Sequence, residues 1–164
     1  MKKFIVPLSF AVLLVGIIII GIFTQKAIIK NEQEEKTEVR VFFGNTIMNP
    51  QTMDCKLVYP VRREIKTIPQ IAKATVEELL KGPTDEEKSQ GYITGINKGV
   101  EIQKISIEDG TLKIDFNEKL EEGIGGSCMV AMIMSQIVTT LKQFPAVEEV
   151  IVSIDGRTED ILQP

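Results

Sequence analysis

The longest apolar run comes first. Residues 4–23, FIVPLSFAVLLVGIIIIGIF, hold no charge and little polarity. At ~1.5 Å rise per residue, a helix of that length reaches about 30 Å, the depth of a bilayer core. Further on, the pattern shortens and alternates. Residues 38–43, EVRVFF, alternate polar and apolar before Gly44-Asn45 and predict a strand. Residues 57–65, LVYPVRREI, predict a second strand, and Pro60 assigns it to an edge or bulge because proline cannot donate to a ladder. Thr67, Pro69 and Gln70 carry helix-start signals, and Ile71, Ala72, Thr75, Val76, Leu79 and Leu80 then share one helical face until Gly82-Pro83. Residues 84–99 show no period and read as a long loop. Strands over 100–108 and 112–116 flank Asp109-Gly110, a strong hairpin signal. Ser127 is a candidate N-cap for a helix whose apolar positions Val130, Ile133, Ile137, Leu141 and Phe144 step by three or four until Pro145. Residues 147–154 form the last strand. The order β-β-α-β-β-α-β lacks the rhythm of a parallel α/β fold, so the class is α+β, with two helices packed on one face of a small mixed sheet.

The apolar run changes where this domain is expected to reside. It exceeds the usual 7–15-residue core of a cleaved signal peptide, and no A-x-A site precedes Gln25-Lys26. An uncleaved signal anchor is therefore favoured over a cleaved signal. Lys2 and Lys3 lie before the run with no acid beside them, which predicts a cytoplasmic N-terminus and a translocated C-terminal domain. The expected organisation is a cytoplasmic end at 1–3, a transmembrane anchor at 4–23, a polar linker at 24–37 and an extracytoplasmic domain at 38–164. All 23 acids and 15 of the 19 bases follow residue 30, leaving −8 in that portion. So acidic a domain is a poor ligand for nucleic acid or anionic lipid.

Candidate chemistry centres on the stretch Gly125-Gly126-Ser127-Cys128. It lacks the lysine of a phosphate loop, and Glu118, Glu121 and Glu122 just upstream repel anions. With no histidine in the chain, neither Cys128 nor Ser127 has the usual base of a nucleophile. Zinc spacing is absent, and the adjacent acid pairs do not share a face of a helix or strand. No catalytic residue, cofactor, metal or small-molecule substrate is indicated. Cys55 and Cys128, in an oxidising compartment, favour one disulfide, with two buried free thiols as the alternative. Gly91, Tyr92, Asn97 and Gly99, and likewise Gly123, Gly125, Gly126 and Ser127, sit in two glycine-bearing loops. These are candidate contact surfaces, or alternatively tight turns over the core.

Residues 39–157 resemble the GerMN domain, the sporulation and spore germination family. The resemblance rests on ATVEELLKGPT (74–84), GYITGINKGVEI (91–102), IEDGTLKIDFNEKLEEGIGGS (107–127) and QIVTTLKQFPAVEEVIVSIDGR (136–157), in family order. It implies a small extracytoplasmic α+β domain, similar to a ring-building motif, that assembles with protein partners and has no catalytic residues to carry over. The expected function is a membrane-anchored interaction domain of the cell envelope that binds envelope proteins or itself. An envelope domain binding a cell-wall polymer is the alternative, weakened by an aromatic content of only 5%.

Overall fold

The structure is a computed structural model that describes residues 35–50 and 54–163. The apolar run at 4–23 and most of the linker lie outside the described residues. Among the described residues no helix is long and apolar enough to cross a membrane.

Strand β1, Lys36–Asn45, begins two residues earlier than expected and runs through the Gly44-Asn45 pair. Its alternation is real: Val39, Val41 and Phe43 are buried while Glu38 and Arg40 face solvent. β2, Tyr59–Lys66, pairs antiparallel with it, Lys36 opposite Lys66 and Phe43 opposite Tyr59. The strand order is β2-β1-β3, so β2 is an edge and Pro60 sits where the sequence places it. β3 is only Tyr92–Ile93, pairing with Asn45 and Gly44. A second sheet has the order β4-β5-β6. β4, Ile102–Glu108, and β5, Thr111–Phe116, form the expected hairpin, and Asp109 and Gly110 both take positive φ (48° and 79°), as a two-residue primed turn requires. β6, Glu149–Ile154, lies parallel to β5 in register 111↔149 to 116↔154.

Helix α1, Ile71–Leu80, buries Thr75, Val76 and Leu79 and stops at Gly82 with φ 73°. Thr67 does not cap it. The cap position is Gln70, three residues further along, and Thr67 Oγ1 instead meets Thr37 Oγ1 at 2.7 Å. A short helix α2, Asp85–Ser89, occupies what reads as loop. It is nucleated by a capping box: Glu87 N donates to Thr84 Oγ1 (3.3 Å) and Thr84 N donates to Glu87 Oε2 (2.8 Å). α3, Ser127–Leu141, follows a 3₁₀ turn at Glu118–Leu120. Ser127 is its first helical residue rather than its cap. The cap position is Gly126, whose φ of 85° lets the chain enter the helix by a turn that a serine there would strain.

The fold differs from a single mixed sheet for an identifiable reason. Beyond β2, the other edge of β1 presents the backbone groups of Arg40, Phe42 and Gly44. Gly44 pairs with Ile93 of β3. The other two are met by α3 and its C-terminal turn. Arg40 N donates to Gln143 Oε1 (2.9 Å), Gln143 Nε2 donates to Arg40 O (2.6 Å), and Phe42 N donates to Thr140 Oγ1 (3.2 Å). One turn earlier, fully buried Gln136 accepts from Gly95 N at 3.1 Å, and Thr94 Oγ1 lies 3.3 Å from its amide oxygen and nitrogen. Thr140 and Gln143 thus finish a sheet edge with side chains, and Gln136, four residues earlier, holds the segment that follows β3. On the adjoining face of α3, Ile133, Ile137 and Leu141 are buried in one core with Val41 and Phe43 of one sheet and Ile114 and Phe116 of the other.

Arg63 of β2 grips the α2 cap. Its Nη2 donates to Glu87 Oε2 at 2.7 Å, both side chains are about 15% exposed, and its guanidinium lies 6.0 Å from the Phe43 ring centre. The hydrogen bond from Arg63 holds Glu87 below the ordinary glutamate value of 4.5, against the opposing effect of burial.

Two outcomes follow. Gln136→Leu leaves the buried Gly95 N–H without an acceptor and is expected to cost about 2–3 kcal/mol, against about 1 kcal/mol for the more accessible Gln143→Ala, as read by urea unfolding. Because the folded pKa of Glu87 is depressed, its contribution is complete above pH 4.5 and is lost as pH falls through the folded value. Glu87→Gln should therefore destabilise by about 2 kcal/mol at pH 7 and progressively less under acid, in unfolding curves taken across pH.

Candidate functional site

The β1–β2 connection and the start of α3 converge on one covalent bond. Cys55 and Cys128 form a disulfide with Cα atoms 5.1 Å apart, 73 positions distant in sequence. It holds the connection against the first turn of α3 and borders a cleft of about 340 Å³. Gly44, Ile93, Leu57, Gly125, Gly126 and Met129 contribute to its walls. Met132 also lines it and packs closely on Gly44, where an added Cβ would lie 2.8 Å from the methionine sulfur and make that side chain shift.

Asn45 shapes the approach to this cleft. It is buried, and its Oδ1 accepts from Ile47 N (2.8 Å) and Met48 N (2.9 Å) while its Nδ2 donates to Gln90 O (3.1 Å). Thr46 N donates to Gly91 O at 2.9 Å. The turn built this way pushes Ile47 and Met48 into solvent, 67% and 47% exposed. Leu57 and Met129, on the cleft rim, are 45% and 38% exposed. Leu57 and Met129 thus stand exposed on the cleft, and Ile47 and Met48 on the turn between Asn45 and Asn49, which also line it; exposed apolar side chains of this kind are the surface chemistry expected of a contact site rather than of a solvated loop.

The loop residues singled out by sequence divide into two groups. Gly91 (φ 86°) is buried, and a Cβ there would meet Ile47 Cγ1 at 2.8 Å, so this glycine serves close packing. Tyr92 is half-buried in β3 against the core. Gly99 (φ 82°) turns the chain over Lys119, and its carbonyl accepts from Asn117 Nδ2 at 3.1 Å. Asn97 is a stitch: its Nδ2 donates to Lys119 O (2.9 Å) and Glu122 O (2.7 Å), holding the first loop against the turn that leads into the second. Gly123, Gly125 and Gly126 differ in having open space around them. Of all eight residues, Gly125 and Gly126 share the disulfide cleft, with exposed Ser127 alongside in the chain. Gly91 and Gly99 do not line it. Asn45 was missed by sequence reasoning because the Gly44-Asn45 pair signals a turn and hides a side chain that organises one.

Among the described residues, no group of three acidic or cysteine side chains is placed to hold a metal ion. The same residues leave no buried side-chain polar atom without a partner. What the arrangement offers is shape, apolar surface and a covalent staple.

Fold and site together define a small disulfide-stapled α+β domain of two three-stranded sheets joined by one long helix. The family model Germane, described as "Sporulation and spore germination", matches residues 40–160. The chain belongs to that family, as its sequence motifs imply. It is 30% identical over 89 residues to the spore germination protein GerM of Bacillus subtilis (strain 168), a match that covers 52% of this chain and 24% of that protein. It is similar in fold to the tandem GerMN domains of the sporulation protein GerM from Bacillus subtilis, with a TM-score of 0.59 and 24% identity over 78% of this chain and 42% of that one. The first GerMN domain of the same protein gives a TM-score of 0.54 and 19% identity, over 74% of this chain and 85% of that domain. The chain thus spans about a quarter of the length of the curated relative it matches.

Removal of the staple has a defined expected cost. The disulfide closes a loop spanning 73 positions, and loop-closure entropy for such a length corresponds to about 4 kcal/mol. Cys55→Ser with Cys128→Ser should lower unfolding stability by that order and increase proteolysis between β1 and β2, while Ile133, Ile137 and Leu141 keep α3 packed.

Proposed function

We propose that this chain is a membrane-anchored docking domain that faces the exterior of the cytoplasmic membrane and binds envelope proteins through its disulfide end. The observation that carries the reading is the group Ile47, Met48, Leu57 and Met129, exposed at the one place where a covalent bond fixes the surface. A preformed apolar patch binds without first ordering itself, so less of its interaction energy is lost to entropy. Three further facts support it. The disulfide suits an oxidising compartment. The uncharged run at 4–23 has the length of a membrane span. The family to which the domain belongs is that of sporulation and spore germination. A place in those processes is part of the proposal.

Two measurements test it. Protease added to wall-stripped intact cells should digest the domain without lysis; protection until lysis would overturn the topology. A photo-crosslinking residue at Leu57 should give discrete protein adducts in intact cells, lost when Met129→Glu is added. The same residue at Lys113, on the far sheet, should give no adduct with any other protein. Equal labelling from both positions would remove the disulfide end as the contact surface.

A further inference from the structure

A second apolar surface lies away from the disulfide, along the free edge of β4. That strand is the outermost of its sheet. Unlike β2, it carries no proline. Between it and the start of α1 runs a groove of about 430 Å³, with Ile71, Ala72, Ile105, Ile107, Phe144 and Pro145 among its walls. Ile107 is 48% exposed there.

The backbone of this edge has a fixed parity. In a two-residue hairpin, the residues flanking the turn, Glu108 and Thr111, form a hydrogen-bonded pair. Bonding to β5 then alternates back along the strand, so the N–H and C=O groups of Ile105 and Ile107 point outward. Outside the β4–β5 ladder, no hydrogen bond from a described residue reaches them.

We propose that the β4 edge pairs with the β4 edge of a second copy of this chain, in an antiparallel register centred on Ser106. The sequence of the strand, Ile-Gln-Lys-Ile-Ser-Ile-Glu, is self-complementary in that register alone. Lys104 falls opposite Glu108 of the partner subunit, and by symmetry the same ion pair forms twice. Neither side chain has an ion pair among the described residues. Ile105 falls opposite Ile107 of the partner subunit, and these are the residues whose backbone groups face outward, so main-chain bonds and charge pairing agree. A shift of the centre by one residue sets Lys104 or Glu108 against serine instead. The paired isoleucines lie on the groove side of the sheet, which covers the exposed Ile107. The product is a continuous six-stranded sheet with two-fold symmetry, and a two-fold contact closes on itself rather than extending. The inference deepens the docking role by naming one partner, and it uses a surface separate from the disulfide end.

Ser106 is the test position. At the two-fold centre it faces the partner subunit's Ser106 as a non-hydrogen-bonded pair, with Cα atoms about 4.5 Å apart, within disulfide range. In the full-length chain in its membrane, Ser106→Cys adds a single thiol to the native disulfide pair. Mild oxidation should give a covalent dimer on a non-reducing gel. Lys113→Cys, on the same face but one strand inward, should give at least about tenfold less. In the Ser106→Cys background, Lys104→Glu opposes like charges twice and should lower dimer yield about fivefold. Adding Glu108→Lys should restore it to within about twofold. Equal yields from positions 106 and 113, or a yield that Lys104→Glu leaves unchanged, would overturn the proposal. So would a double variant no better than Lys104→Glu. The crosslink reports the β4 edge alone, so its failure leaves the Leu57 result standing, and the reverse holds.

Discussion

The structure depends on the polar seam of α3. A strand edge left open inside a domain exposes donors and acceptors that each cost free energy if buried unpaired. β1 has such an edge, because β3 is long enough to pair only with Gly44 and Asn45. Gln143 and Thr140 supply the missing ladder at Arg40 and Phe42, and Gln136 does the same for the Thr94–Gly95 segment. Had those positions been apolar, α3 could still pack on the core, but the edge beneath it would remain unsatisfied. The seam therefore specifies how far α3 slides along β1, which nonpolar packing alone would leave loose.

Two further fastenings act on the periphery, where the seam does not reach. The Cys55–Cys128 bond ties the β1–β2 connection to the start of α3, and the Arg63–Glu87 pair ties β2 to the α2 cap. They differ in kind. The disulfide acts largely by shrinking the unfolded ensemble and is independent of pH. The ion pair serves twice, since the same Glu87 carboxylate bonds Arg63 and the Thr84 backbone. Both secure loops rather than core. The core of Phe43, Phe116, Ile133 and Leu141 is closed without them, so their service is to keep exposed segments in one conformation.

How legible this was in the sequence depends on whether a signal was local. Asp109-Gly110 marked its hairpin, and the period of Ile133, Ile137 and Leu141 marked α3, because both signals lie within one element. The α+β class and the seven longer elements followed in order, but the short helix Asp85–Ser89 and strand Tyr92–Ile93 within the stretch read as loop did not. The capping box Thr84-Asp-Glu-Glu87 was equally local, yet a five-residue helix with no buried side chain has no apolar period to draw attention to it. The division into two sheets was not legible. It follows from which atoms of Gln136, Thr140 and Gln143 meet the backbone groups of Gly95, Phe42 and Arg40, far away in sequence, and polar residues in an apolar helix read as its solvent face. At the candidate site, sequence reasoning marked the glycine-rich entry to α3 and its cysteine. It could not separate Gly125 and Gly126, which have open space, from Gly91 and Gly99, which are filled by Ile47 and Lys119.

The separation of the two apolar surfaces bears on how one small domain serves more than one contact. The disulfide cleft sits at the first turn of α3, and the β4 groove includes Phe144 and Pro145 just beyond its last. Fifteen residues of helix at ~1.5 Å each place them about 20 Å apart. No side chain lines both. A partner at one end therefore leaves the other sterically open, and coupling between them would have to pass through α3 itself. The seam argues against such coupling: a helix held at two points along β1 and at a third on Gly95 transmits little sliding motion. The two contacts are thus expected to act independently, so that a self-paired domain still presents both copies of its disulfide end.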